Sequence, residues 1–142
     1  VVVMNQGRIE QDGTPDLVYS QPASAFVFDF LGRSNAITGY VAAGNFIAPG
    51  FVAPVPAGDC KPGPATLFAR PHDLRVANGH PKVLEATVDA VHQLAGRTSF
   101  EATLDSQSRP LLIDIAGTEL PHLPQRGETV ALALDQYRCF PA

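Results

Sequence analysis

Twelve glycines and thirteen prolines are scattered through this 142-residue chain, and they cut its apolar residues into short runs. Proline inside a helix removes a backbone donor and clashes with the preceding turn, whereas strand ends and turns absorb both residue types. The punctuation therefore predicts many short strands joined by close turns. No apolar run approaches the roughly 20 residues that a membrane-spanning helix needs.

Composition narrows the function. The chain is 45% hydrophobic and 17% charged, which suits an ordered globular domain. Ten basic against fourteen acidic residues give a net charge of −4, and tryptophan is absent. A nucleic-acid partner is not expected, because it would need a basic face or a basic groove lined by stacking aromatics. Cys60 and Cys139 lie far apart in sequence and form no Cys-x-x-Cys pair. They are expected as free, partly buried thiols in a reducing cytoplasm. Val1 opens an apolar segment without the basic n-region of a signal peptide, and it reads as a strand cut from a longer protein.

Two strand-like runs flank Asn5-Gln6-Gly7 and predict a hairpin. Thr14-Pro15-Asp16 is a helix start: a hydroxyl to cap, proline at the first position, and an acid at the positive end of the dipole. Pro22 must end that helix. A second helix fits 23–31, with Phe26, Val27, Phe30 and Leu31 on one apolar stripe and Gly32 closing it. Beyond Arg33-Ser34-Asn35, strands are expected at 36–42, 45–48, 51–55, 66–69, 74–77, 83–94, 98–104, 111–115 and 129–134. Short strands with turns at this spacing indicate a small closed or nearly closed barrel.

Several chemistries lack their residues. Neither Lys61 nor Lys82 follows a glycine, so there is no P-loop, and neither a Gly-x-Ser-x-Gly elbow nor a His-Glu-x-x-His helix occurs. His72, His80, His92 and His122 share no metal-ligand spacing. Asp89 and Glu101 read as solvated carboxylates on strand faces. Two segments stay open between a structural and a binding role. Arg70-Pro71-His72-Asp73 is a rigid proline corner, or a contact made by Arg70 and His72 to an anion or a partner. Gly96-Arg97-Thr98-Ser99 is a solvated hairpin turn, or a loop presenting Arg97, hydroxyls of Thr98 and Ser99, and backbone N–H groups to an oxyanion.

The run Val2-Val3-Met4-Asn5-Gln6-Gly7-Arg8-Ile9-Glu10-Gln11-Asp12-Gly13-Thr14-Pro15 resembles the end of the ATPase domain in ATP-binding subunits of ABC importers. The likeness continues through Tyr19, Pro22, Phe26-Val27, Phe30-Leu31-Gly32 and Asn35. The remainder resembles the OB-like regulatory barrel of such subunits, the transport-associated OB (TOBE-like) domain. Phe68-Ala69-Arg70-Pro71-His72-Asp73-Leu74 is similar to a segment of sulfate and thiosulfate importers, where sugar importers more often carry Arg-Pro-Glu. Arg126-Gly127-Glu128-Thr129-Val130-Ala131-Leu132 is similar to a strand that closes these barrels.

The resemblance implies a mostly β fold, with residues 1–34 the tail of an ATPase domain and 35–142 the barrel. It implies no catalytic residue, cofactor or metal in this chain, with ATP and magnesium held by the parent subunit upstream. It also implies a homodimer, contact with transmembrane permease subunits through the ATPase domain, and a cytoplasmic place on the inner membrane face. An oxyanion-binding module of molybdate type, or a sugar-importer barrel, is the alternative reading.

Overall fold

The structure is a computed structural model that describes residues 1–105, 107–116 and 123–142. His122 lies outside the described residues. The chain divides into two compact units, Val1–Ser34 and Asn35–Ala142.

In the first unit, β1 (Val2–Asn5) and β2 (Arg8–Asp12) form the expected antiparallel hairpin. Gln6 (φ 50) and Gly7 (φ 76) both take left-handed conformations, the two-residue turn whose twist matches its strands. Helix α1 (Pro15–Ser20) starts as the sequence predicts: the Thr14 hydroxyl accepts the Leu17 N–H at 3.2 Å. Helix α2 (Ala25–Phe30) starts later than expected, capped by Ser24, whose hydroxyl accepts the Val27 N–H at 3.3 Å. The reason is Gln11. Its side chain accepts the Ala23 N–H at 2.8 Å and donates to the Gln21 carbonyl at 2.9 Å, so the bend around Pro22 is held outside the helix.

The apolar stripe on α2 is not the one expected. Val27 packs with Val3 and Val18 in a small core, Phe26 and Leu31 are half-buried, Phe28 is buried, and Phe30 is 63% exposed. Phe26 and Phe30, one turn apart, stack on each other with centroids 5.7 Å apart, and that contact holds Phe30 on the exposed flank.

The second unit is the barrel. One five-stranded sheet has the order β12-β6-β3-β4-β5 and the other β10-β9-β8-β11-β7, every pairing antiparallel. The strands are β3 (Asn35–Ala42), β4 (Asn45–Ile47), β5 (Val55–Pro56), β6 (Gly63–Ala69), β7 (Leu74–Val76), β8 (Leu84–Leu94), β9 (Arg97–Leu104), β10 (Leu111–Ala116), β11 (Thr129–Leu134) and β12 (Arg138–Pro141). Alternate residues point inward, as Thr98, Phe100, Ala102 and Leu104 do on β9. One continuous core results, with Ile37, Phe46, Leu67, Leu84, Phe100, Ile113 and Leu132 among its fully buried members.

Both sheets curl towards closure. The outer strands β5 and β12 meet where the Tyr137 hydroxyl donates to the Pro56 carbonyl at 2.6 Å. In the other sheet, β10 packs beside β7 and the turn that precedes it. The expected strand at 51–55 is reduced to β5 and a bridge from Phe51 to Leu84, since Pro54 has no N–H to give. Strand β12 carries no apolar alternation long enough to announce it.

Two carboxamides join the sheets. The buried Asn35 side chain donates to the Leu112 carbonyl at 2.8 Å and accepts the Leu112 N–H at 2.7 Å, so it pairs with the outer strand β10 as a backbone would. Gln107 does the same for Thr38, accepting its N–H and donating to its carbonyl, both at 3.0 Å.

Replacing Asn35 by alanine strands a donor and an acceptor of Leu112, which costs about 2–3 kcal/mol in urea denaturation. Asn35→Asp does not rescue it, because a carboxylate then faces the Leu112 carbonyl. A second expectation concerns Gly39. A β-carbon there falls on the Ile47 carbonyl and the Phe46 ring, so Gly39→Ala also lowers the denaturation midpoint.

Candidate functional site

The proline corner follows directly from the end of β6. Pro71 forces the residue before it out of the helical region, and Arg70 is extended (φ −71, ψ 154). Pro71–Asp73 then makes one 3-10 turn, closed by the Asp73 N–H on the Arg70 carbonyl at 2.9 Å. Arg70 and Asp73 are buried and His72 is exposed. The Asp73 carbonyl accepts the Asp135 N–H at 2.8 Å, and its carboxylate accepts the Gln136 N–H, so the corner is tied to the connection between β11 and β12.

Burial raises the Asp73 carboxyl above its ordinary value of 3.8. His72, with Nε2 at 3.6 Å from Oδ2, opposes that rise, followed by the Gln136 N–H and Arg70, while Asp135 adds to it. Beside the corner, Arg75 Nη1 pairs with Asp135 at 3.1 Å and Nη2 lies 2.9 Å from His80 Nε2. A guanidinium only donates, so His80 accepts through Nε2 and carries its proton on Nδ1. Arginines and carboxylates thus alternate here, and the cluster is largely self-compensating.

Arg97, Thr98 and Ser99 belong to another element. The turn consists of Ala95 (φ 51) and Gly96 (φ 77), and β9 begins at Arg97. Of the stretch 96–99, read as a hairpin turn or an anion-presenting loop, only Gly96 lies in the turn, and the strand expected from Thr98 starts one residue earlier. Thr98 and Ser99 pair with Gln93 and His92 on one side and with Ile115 and Asp114 on the other, and those ladders take up the backbone donors of this stretch. Thr98 is buried, Ser99 half-buried and Arg97 exposed. Asp89 accepts from the Thr103 hydroxyl at 2.6 Å and Glu101 lies 3.1 Å from His92 Nε2, an exposed polar face. Among the described residues no group of three or more His, Cys, Asp or Glu is arranged to hold a metal.

The sequence reading missed a seam. The loop at 56–61 and the strand-forming Tyr137–Pro141 segment line a groove of about 650 Å³, and Cys60 and Cys139 both border it. Burial, and secondarily the nearby Cys60, push the Cys139 thiol up to about 11, so it is neutral at pH 7. Recognising β12 and the strand it pairs with was the only route to this grouping.

A pH experiment follows from Asp73. As pH rises past 3.8, the unfolded chain releases this proton while the folded chain keeps it, so stability falls up to the raised folded-state pKa. Relative to Asp73→Asn, the native chain should lose urea resistance across that interval and hold a constant difference above it. Parallel profiles for the two proteins would refute the burial account.

Comparison with known proteins places the geometry in context. A family model described as the TOBE domain matches residues 67–141. A sulfate/thiosulfate import ATP-binding protein of Burkholderia mallei is 36% identical over 138 residues, covering 88% of this chain and 39% of that protein. A protein of the same description from Rhizobium meliloti is 34% identical over 134 residues, covering 94% and 38%. One from Mesorhizobium japonicum is 34% identical over 146 residues, covering 100% and 40%. The chain thus spans about two fifths of the length of these relatives.

Proposed function

We propose that this chain, which belongs to the TOBE domain family, is the C-terminal regulatory and dimerisation region of the ATP-binding subunit of a sulfate/thiosulfate importer. The observation that carries the reading is the reach of the similarity, which runs through the hairpin and helices of the first unit as well as the barrel. A free-standing anion-binding barrel has no use for that first unit. On this reading residues 1–34 are the end of an ATPase domain and 35–142 are the regulatory barrel. The parent subunit holds ATP and magnesium upstream and drives permease subunits from the inner face of the membrane. None of the described helices is long and apolar enough to cross that membrane itself.

The surface of the first unit supports the same reading. Met4, Ile9, Leu17, Tyr19 and Phe30 are all exposed on a unit of this size, which is the surface of an element made to be covered. In the barrel, Arg70 and Thr98 are buried and Ser99 is half-buried. His72 and Arg97, exposed at a turn and beside one, are the side chains left to contact a regulatory anion or a second copy.

The test is a chimera. The corresponding C-terminal region of a sulfate/thiosulfate import ATP-binding protein is replaced by this chain, in cells that lack the native subunit. Growth on sulfate as sole sulfur source is expected to return. A chimera that hydrolyses ATP but leaves sulfate uptake at background would refute the cargo. The isolated chain is expected to give no saturable heat with Mg-ATP in calorimetry, and to sediment as a dimer whose fraction rises with concentration.

A further inference from the structure

We propose that Cys60 and Cys139 form a peroxide-sensitive dithiol, whose oxidation closes a disulfide across the seam between the loop after β5 and strand β12. The two residues are far apart in sequence, yet the curl of one sheet brings its opposite outer strands together, and both thiols border the groove between them. Each is half-buried, so each is held against the core and still within reach of a small oxidant. The Tyr137 hydroxyl on the Pro56 carbonyl already pins the same seam, which holds the loop beside the strand. Cys139 is fixed on β12 opposite Leu67 of β6. Cys60 sits in an irregular stretch, its N–H on the Ala57 carbonyl at 3.2 Å and its thiol making only a 3.8 Å contact to the Lys61 carbonyl. The loop residue is the one free to turn toward its partner.

Placement assigns an order. Cys60, on the irregular loop, meets the hydroperoxide first, and Cys139, fixed in β12, follows. Its sulfur bonds to the terminal peroxide oxygen, the O–O bond breaks, and the alcohol or water leaves with the Cys60 proton. The Cys139 sulfur then attacks the sulfenic sulfur, the S–O bond breaks, and hydroxide leaves with the Cys139 proton as water. Two thiols are oxidised, one peroxide is reduced, and one S–S bond forms. The proposal does not depend on the transport reading.

The experiment treats the dilute full chain with stoichiometric hydrogen peroxide, then counts free thiols in denaturant and maps the digest by mass spectrometry. Both thiols are expected to disappear together, with the loss of two hydrogens and a Cys60–Cys139 linked peptide that dithiothreitol releases. In Cys60→Ser the Cys139 thiol is expected to survive the same treatment. Sulfinic acid accumulating at Cys60 beside an intact Cys139 thiol would overturn the proposal, as would disulfides found only between chains. The native digest decides the matter even where a serine variant folds poorly.

Discussion

Asn35 pairs with both main-chain groups of Leu112, and the position of everything around the proline corner depends on that pair. Asn35 opens β3 and lies opposite Ala69, the last residue of β6. Arg70 follows immediately, so the corner begins where β6 is registered against β3. The same asparagine holds β10, the strand that packs against the corner turn. One buried carboxamide therefore fixes the corner from both sides. Gln107 extends the arrangement: β4 pairs with β3 only from Tyr40 onward, and the Gln107 amide occupies the vacant ladder position at Thr38. Gln11 plays the equivalent part in the first unit, where it bridges the chain on both sides of Pro22.

Magnitudes separate these bonds from the charged pairs nearby. The Arg75–Asp135 pair is roughly a third or more exposed on both sides, and such pairs contribute about 0.2–1 kcal/mol. A buried main-chain group left without its partner costs about 1–3 kcal/mol, and Asn35 serves two on the half-buried Leu112. The corner is thus held by backbone hydrogen bonds and burial, and the surface charges adjust its field. Asp73 illustrates the balance, since desolvation outweighs every favourable neighbour it has.

What the sequence revealed follows the range of the interaction concerned. The Thr14 cap, the stop at Pro22, the Gln6-Gly7 turn and the alternation of β9 are each set within a few residues, and each was legible. The family was legible through the density of matched residues in the first unit and barrel. The partners of Asn35 and Gln107 lie 77 and 69 residues away, and no local pattern marks them. The same holds for the Cys60–Cys139 grouping, which needs both the curl of a sheet and a strand too short to read. On α2, the helical period located an apolar stripe but not its centre, because Phe26 and Phe30 satisfy each other at the surface.

The abundance of proline that suggested strands also explains how they end. Each sheet leaves two outer strands, and an unpaired strand edge invites another chain to add to it. All four are blunted here, by proline, by brevity or by a side chain. Strand β5 has two residues, lies between Pro54 and the irregular loop, and ends on Pro56. Strand β12 ends on Pro141, which has no N–H to offer. Strand β7 has three residues and stops at a turn. Strand β10 is occupied at Leu112 by Asn35. Among the described residues, a second copy of the barrel would find no long free ladder to extend, and self-association would have to use side-chain surfaces. Tyr40 and Ile47, exposed and directly opposite one another on β3 and β4, present one such apolar surface. Closure of the edges thus directs the barrel toward contacts whose specificity is carried by side chains.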